Sequence, residues 1–166
     1  TSRQFKGLPL ASVFPNLKNR VDIIFEDASP KELCQKADFF FTAVPHKTAM
    51  DIVPELLSSG KKVVDLSADF RLQDITTYEE WYQPHTSPHL INEAVYGLPE
   101  IHRESIAKSD LVANPGCYPT SIILGLAPLL KAGAVDLHSI IADSKSGTSG
   151  AGRSASVATL FCEVHD

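Results

Sequence analysis

The tripeptide Asn114-Pro115-Gly116 constrains this chain more than any other feature. A proline bars the preceding residue from the α region and fixes its own φ, while a glycine tolerates positive φ. Asn114 is therefore extended, Pro115 is set, and Gly116 supplies the turn. Before the turn stands the apolar run Leu111-Val112-Ala113, and after it residues 122–130 are apolar almost throughout. The pattern predicts a strand that becomes a helix within a few residues. Cys117 then lies at the mouth of the turn, and Pro119 falls in the first helical turn, where its missing N–H costs nothing. Gly133 is a natural end for this helix. Its all-round apolar composition predicts that it is buried.

A thiol at the start of a helix faces backbone N–H groups and the positive end of the macrodipole. Both favour thiolate over thiol, and the same N–H groups suit a developing oxyanion. Cys117 reads on that ground as a nucleophile. The alternative is a small, inert core residue, since free cysteine is among the most buried residue types.

Upstream, strand and helix signals alternate. Residues 21–25 read as a strand. Ser29-Pro30-Lys31-Glu32 is a capping box with proline at the first helical position, opening a helix to about residue 36. Residues 37–44 form a continuous apolar run of the kind buried on both faces of a sheet. Thr48 and Asp51 offer a second capping box for a helix through Leu57, ended by Gly60. Residues 62–67 are a third strand. Residues 78–82 and 102–108 read as short helices, and residues 110–113 return to the sheet. A strand over 137–143 then empties into a Gly/Ser loop, residues 144–156. Short links between such elements indicate βαβ units and a parallel sheet, an α/β fold.

Ligands of open α/β sheets bind at the carboxyl ends of the strands. His46 follows one such strand, as a ligand contact or as a solvated loop histidine. Asp65, Ser67, Asp69 and Arg71 follow another, as ligand contacts or as an internal Asp–Arg pair fixing the loop. In the Gly/Ser loop, Gly147, Gly150 and Gly152 open the backbone, and Lys145 and Arg153 supply charge. That is an anion cradle, or else a pliable connector. Ser2-Arg3 stands where an α/β dinucleotide domain meets the adenosine ribose, and an arginine there accommodates the 2′-phosphate of NADP. A plain surface arginine is the alternative. His85, His89, His102 and His138 show no interpretable spacing, and Cys34 and Cys162 are expected in the core.

A net charge of −5 argues against nucleic acid and anionic membrane surfaces as partners. No apolar run approaches the ~18 residues of a membrane span. Three widely spaced cysteines do not make a disulfide framework, which points to a reducing, cytoplasmic compartment. No Cys/His cluster has metal-ligand spacing, so no metal is expected. The chain begins without Met and stops without a cap, so both ends read as cut, and these 166 residues alone are expected to be inactive.

Six stretches together resemble one family. They are Thr1-Ser2-Arg3, Pro45-His46, residues 64–71, Tyr96-Gly97-Leu98-Pro99-Glu100, Asn114-Pro115-Gly116-Cys117-Tyr118-Pro119-Thr120 and residues 144–153. In this order they are similar to the N-acetyl-γ-glutamyl-phosphate reductases, NADP-dependent enzymes of arginine biosynthesis. The resemblance implies a Rossmann-type doubly wound parallel sheet over residues 1–116, its first strand and Gly-rich loop missing. Residues 117–166 would begin an α+β catalytic and dimerisation domain of the semialdehyde or glyceraldehyde-3-phosphate dehydrogenase type. It implies Cys117 as nucleophile on an acyl phosphate, with Asn114, Ser144, Gly147 and Arg153 as oxyanion or substrate contacts. Ser2, Arg3, Pro45 and His46 would bind NADP(H), and the complete protein would be a homo-oligomer, dimer or tetramer. Reductases of aminoadipate phosphate or aspartyl phosphate are the nearest alternatives. A cysteine hydrolase or transferase, or a non-catalytic dinucleotide-binding module, are alternatives of other classes.

Overall fold

Three apolar runs of the first unit and one short extended pair line up side by side as parallel strands. In the computed structural model, which describes residues 1–152 and 156–160, β1 (Phe39–Thr42), β2 (Lys62–Asp65), β3 (Val95–Tyr96) and β4 (Leu111–Ala113) form one sheet. Its order is β1-β2-β4-β3, and every pairing is parallel. These strands belong to the first of two units, Thr1–Gly116 and Cys117–Asp166.

Around the sheet stand α1 (Leu10–Val13), α2 (Pro30–Cys34), α3 (Ala49–Ser58), α4 (Ile75–Trp81) and α5 (Pro99–Lys108). The capping box of α2 forms as its residues dictate: Glu32 N–H donates to Ser29 Oγ, and Ser29 N–H donates to the Glu32 carboxylate. Helix α3 ends in a left-handed Gly60, with Lys61 N–H returned to Leu56 O. Inside α3, Pro54 has no N–H for the carbonyl of Met50. Ser87 Oγ donates to that oxygen at 2.8 Å instead, which removes the penalty of an unpaired buried carbonyl. The core lies between α3 and one face of the sheet, where Met50, Val53 and Leu56 meet Val63, Leu111 and the ring of Tyr78. Cys34 packs against its margin, half-buried.

Several expectations are corrected. Residues 21–25 do not join the sheet. They run antiparallel to residues 7–10 with one bridge, Pro9 to Ile24, because the partner turns into α1 at Leu10. Strand β1 is not buried on both faces: Phe39 and Phe41 are 50% and 70% exposed, on an edge strand with one uncovered face. The Thr48–Asp51 capping box does not form. Asp51 instead accepts from Thr86 Oγ1, and a remote carboxylate caps α3. In α5 the helix begins earlier than residue 102, at Pro99, and kinks at His102.

The second unit carries α6 (Cys117–Lys131), ended by a left-handed Gly133. None of its residues is buried, contrary to the expectation for an all-round apolar helix. The strand expected over 137–143 is absent as well. Asp136 caps a 3₁₀ turn, Leu137–Ser139, and the following residues find no ladder partner among the described residues, leaving Ile141 93% exposed.

Beside β4, Gly97 N–H donates to Ala113 O at 2.8 Å. A Cβ at Gly97 would lie 2.8 Å from Val112 Cγ1 and 3.1 Å from Ala113 O. Gly97→Ala is therefore expected to destabilise the protein by about 1–3 kcal/mol. Denaturant unfolding checks this, and an unchanged midpoint would contradict it.

Candidate active site

The carboxyl ends of β1, β2 and β4 release loops that no strand ladder holds, and buried polar side chains hold them instead. Asp65, at the end of β2, is fully buried and accepts from Thr42 Oγ1 at 2.7 Å and from Ser67 Oγ at 2.6 Å. Ser67 Oγ in turn accepts from Asp69 N–H. The Asp69 carboxylate, also fully buried, accepts from Lys47 N–H at 2.7 Å, Met50 N–H at 3.2 Å and Tyr78 Oη–H at 3.0 Å. Two of these donors flank the start of α3, so Asp69 caps that helix from a distance. Burial, and then the neighbouring Asp69 carboxylate, push the Tyr78 hydroxyl well above the ordinary phenol range.

His46 sits over this network. Its Nδ1 accepts from Ala68 N–H at 2.9 Å, so the ring is the Nε2–H tautomer, and its edge meets the ring of Tyr82. His46 and Pro45 are exposed at the sheet's carboxyl edge. His85 is buried in the same layer, with Nδ1 accepting from Ser87 N–H and Nε2 against Asp69 O at 2.8 Å.

An internal Asp–Arg pair, one of the two readings of these residues, does not form. Both carboxylates are saturated by neutral donors, and Arg71 turns away to donate to Asn114 O at 2.7 Å and Leu66 O at 2.8 Å. Asn114 N–H donates to Asp65 O, so the backbone of the Asn-Pro-Gly turn is held from both sides. The Asn114 side chain donates to Pro115 O at 3.2 Å. At the other margin Ser2 N–H donates to Glu26 O, and Ser2 Oγ accepts from Phe5 N–H. The Arg3 side chain is 93% exposed, with Asp27 3.9 Å away.

In the second unit Cys117 is exposed at the first position of α6. It lines a pocket with Tyr118, Ser121, Asp143, Ser144 and Lys145. The Lys145 ammonium is paired with Asp143, so its charge is partly neutralised. Gly147 precedes a 3₁₀ turn, Thr148–Ala151, in which a Cβ on Gly150 would lie 2.3 Å from Ser146 Oγ. Arg153 and Cys162 lie outside the described residues. Among the described residues, no group of three or more His, Cys, Asp or Glu is placed to hold a metal ion. No helix of theirs is long and apolar enough to cross a membrane.

Residues 1–109 match the semialdehyde dehydrogenase NAD binding domain, and residues 117–166 match the semialdehyde dehydrogenase dimerisation domain. The chain belongs to the semialdehyde dehydrogenase family. Among its relatives, the N-acetyl-gamma-glutamyl-phosphate reductase of Desulfotalea psychrophila is 64% identical over all of this chain and 48% of its own length. Those of Geotalea daltonii and Citrifermentans bemidjiense are 59% and 56% identical with the same coverage. The chain thus spans about half the length of the curated relatives it matches.

Within this family member, sequence reasoning missed Tyr78 and His85, which reach Asp69 from α4 and from the loop that follows it. The one available signal was polar residues at every second position, Asp65, Ser67 and Asp69, each able to bond the next.

Tyr78 makes the network alkali-sensitive. In the folded state it keeps its proton above pH ~10, where an exposed tyrosine loses it. The folded state then binds more protons than the unfolded one, and stability falls as pH rises past about 10. Tyr78→Phe is expected to lose about 1 kcal/mol at neutral pH, with its hydrogen bond to Asp69, yet to lose less than the wild type between pH ~9 and ~11. Denaturant titrations at both pH values check this, and equal alkaline losses would contradict it.

Proposed function

We propose that this chain supplies the dinucleotide-binding part and the nucleophile of an NADPH-dependent reductase of N-acetyl-γ-glutamyl phosphate. The products are N-acetylglutamate semialdehyde and phosphate, a step of arginine biosynthesis. The observation that carries this reading is Cys117, exposed as the first residue of a long helix and lining a pocket with Ser144 and Lys145. The relatives' names support the substrate.

The Cys117 thiolate attacks the acyl-phosphate carbonyl, the bond from that carbon to the phosphate oxygen breaks, and phosphate leaves behind a thioester. NADPH, when bound, supplies the hydride that reduces this thioester. The resulting thiohemiacetal collapses, releasing the semialdehyde and returning the thiolate. Backbone N–H groups of the first turn of α6, with Asn114, Ser144, Gly147 and Arg153, are the oxyanion and substrate contacts in this reading.

Residues of the first unit fit the cofactor. His46 presents a ring N–H at the carboxyl edge of a parallel sheet, and the exposed Arg3 guanidinium suits a 2′-phosphate. Ser2, Arg3, Pro45 and His46 would hold it. The dimerisation-domain match supports a homo-oligomer, and the cysteine pattern supports a cytoplasmic location.

In the full chain, Cys117→Ser should lower semialdehyde formation by a factor on the order of 10³ or more while the NADPH Kd stays within about twofold. Steady-state rates and fluorescence titration check the two halves. Near-wild-type turnover would contradict the assignment.

A further inference from the structure

The loop after β1 contains a lysine at positive φ and a histidine whose Nδ1 is taken by a backbone donor. Lys47 has φ +75°, a left-handed conformation that a non-glycine residue holds only under constraint. His46, beside it, is committed to one tautomer by a backbone donor, Ala68 N–H, from the loop after β2. The residue next to Ala68 is Asp69, whose carboxylate takes Lys47 N–H on Oδ1 and Met50 N–H on Oδ2. The two loops are thus joined by a double clamp, from Ala68 N–H to His46 and from Lys47 N–H to Asp69. Tyr78 Oη–H and the Nε2 of His85, the latter against Asp69 O, fix the Asp69 end from below.

We propose that Asp69 is a positioning residue for cofactor binding: by pinning Lys47 and the start of α3, it aims His46 as an Nε2–H donor toward an acceptor oxygen of the dinucleotide. This rests on the reading that His46 borders the cofactor. The Nε2 atom has no protein partner among the described residues, whereas Nδ1 is already engaged. An asparagine at 69 cannot replace the carboxylate. Both oxygens accept N–H donors, so either amide orientation sets an NH₂ group against Lys47 N–H or Met50 N–H.

The test uses the full chain with Asp69→Asn, His46→Ala and the double variant, and reads NADPH dissociation constants directly. Each single variant is expected to weaken NADPH binding about tenfold, the size of one lost hydrogen bond to a charged or well-placed partner. The double variant should be no more than about twofold weaker than His46→Ala, because Asp69 acts through His46. A hundredfold loss in the double variant would overturn the proposal, as would an unchanged Kd in Asp69→Asn with only a lowered melting temperature. An unchanged Kd in His46→Ala would instead remove His46 from the cofactor site, and the proposal with it. One measurement needs no variant: ¹⁵N NMR of His46 in the cofactor-free protein should show the Nε2–H tautomer, and an Nδ1–H tautomer would overturn the clamp.

Discussion

Two carboxylates, Asp65 and Asp69, lie fully buried at the carboxyl edge of the sheet, and neither is paired with a lysine or arginine among the described residues. A buried charge is tolerable only when hydrogen bonds replace its lost hydration. Here the replacements are hydroxyls and backbone N–H groups drawn from β1, from the start of α3 and from α4. These donors tie three elements to one short loop, residues 65–69. The requirement to satisfy these two groups therefore organises the edge at which α/β sheets receive ligands. Breaking one such bond leaves a desolvated oxygen behind, so the loops are held in one arrangement rather than in several of similar energy.

Local chemistry was legible in the sequence, and remote chemistry was not. The α2 capping box needs only Ser29 and Glu32, three residues apart, and it forms as read. The start of α3 offers the same pattern at Thr48 and Asp51, yet Asp69 takes the N–H groups and Thr86 takes Asp51. A carboxylate nineteen positions away outcompetes the local cap, and no window on the sequence reveals that. Residues 137–143 have strand composition, but a strand exists only beside another, and none of the described residues pairs there. Arg71 shows the same limit at the site: its partners are carbonyls of Leu66 and Asn114, which carry no residue-specific signal.

In the proposed function the chemistry divides between the units. The first supplies a parallel sheet, a histidine with a defined tautomer and an exposed arginine, which together suit a phosphorylated dinucleotide. The second supplies a thiol at a helix start and a Gly/Ser segment in which Gly150 lies close to the Ser146 hydroxyl. The Asn-Pro-Gly turn is the covalent link. Its rigidity on the first unit's side comes from Arg71 and from the Asp65 backbone rather than from the proline alone.

The central claim is that the acyl group passes through a bond to Cys117. Its most direct test is to mix the full chain with N-acetyl-γ-glutamyl phosphate in the absence of NADPH, quench in acid and map the peptides by mass spectrometry. The account predicts an N-acetylglutamyl thioester on Cys117, removed by hydroxylamine and absent when NADPH is added before the quench. An adduct on another residue, or none while the NADPH-dependent reaction proceeds, would contradict it.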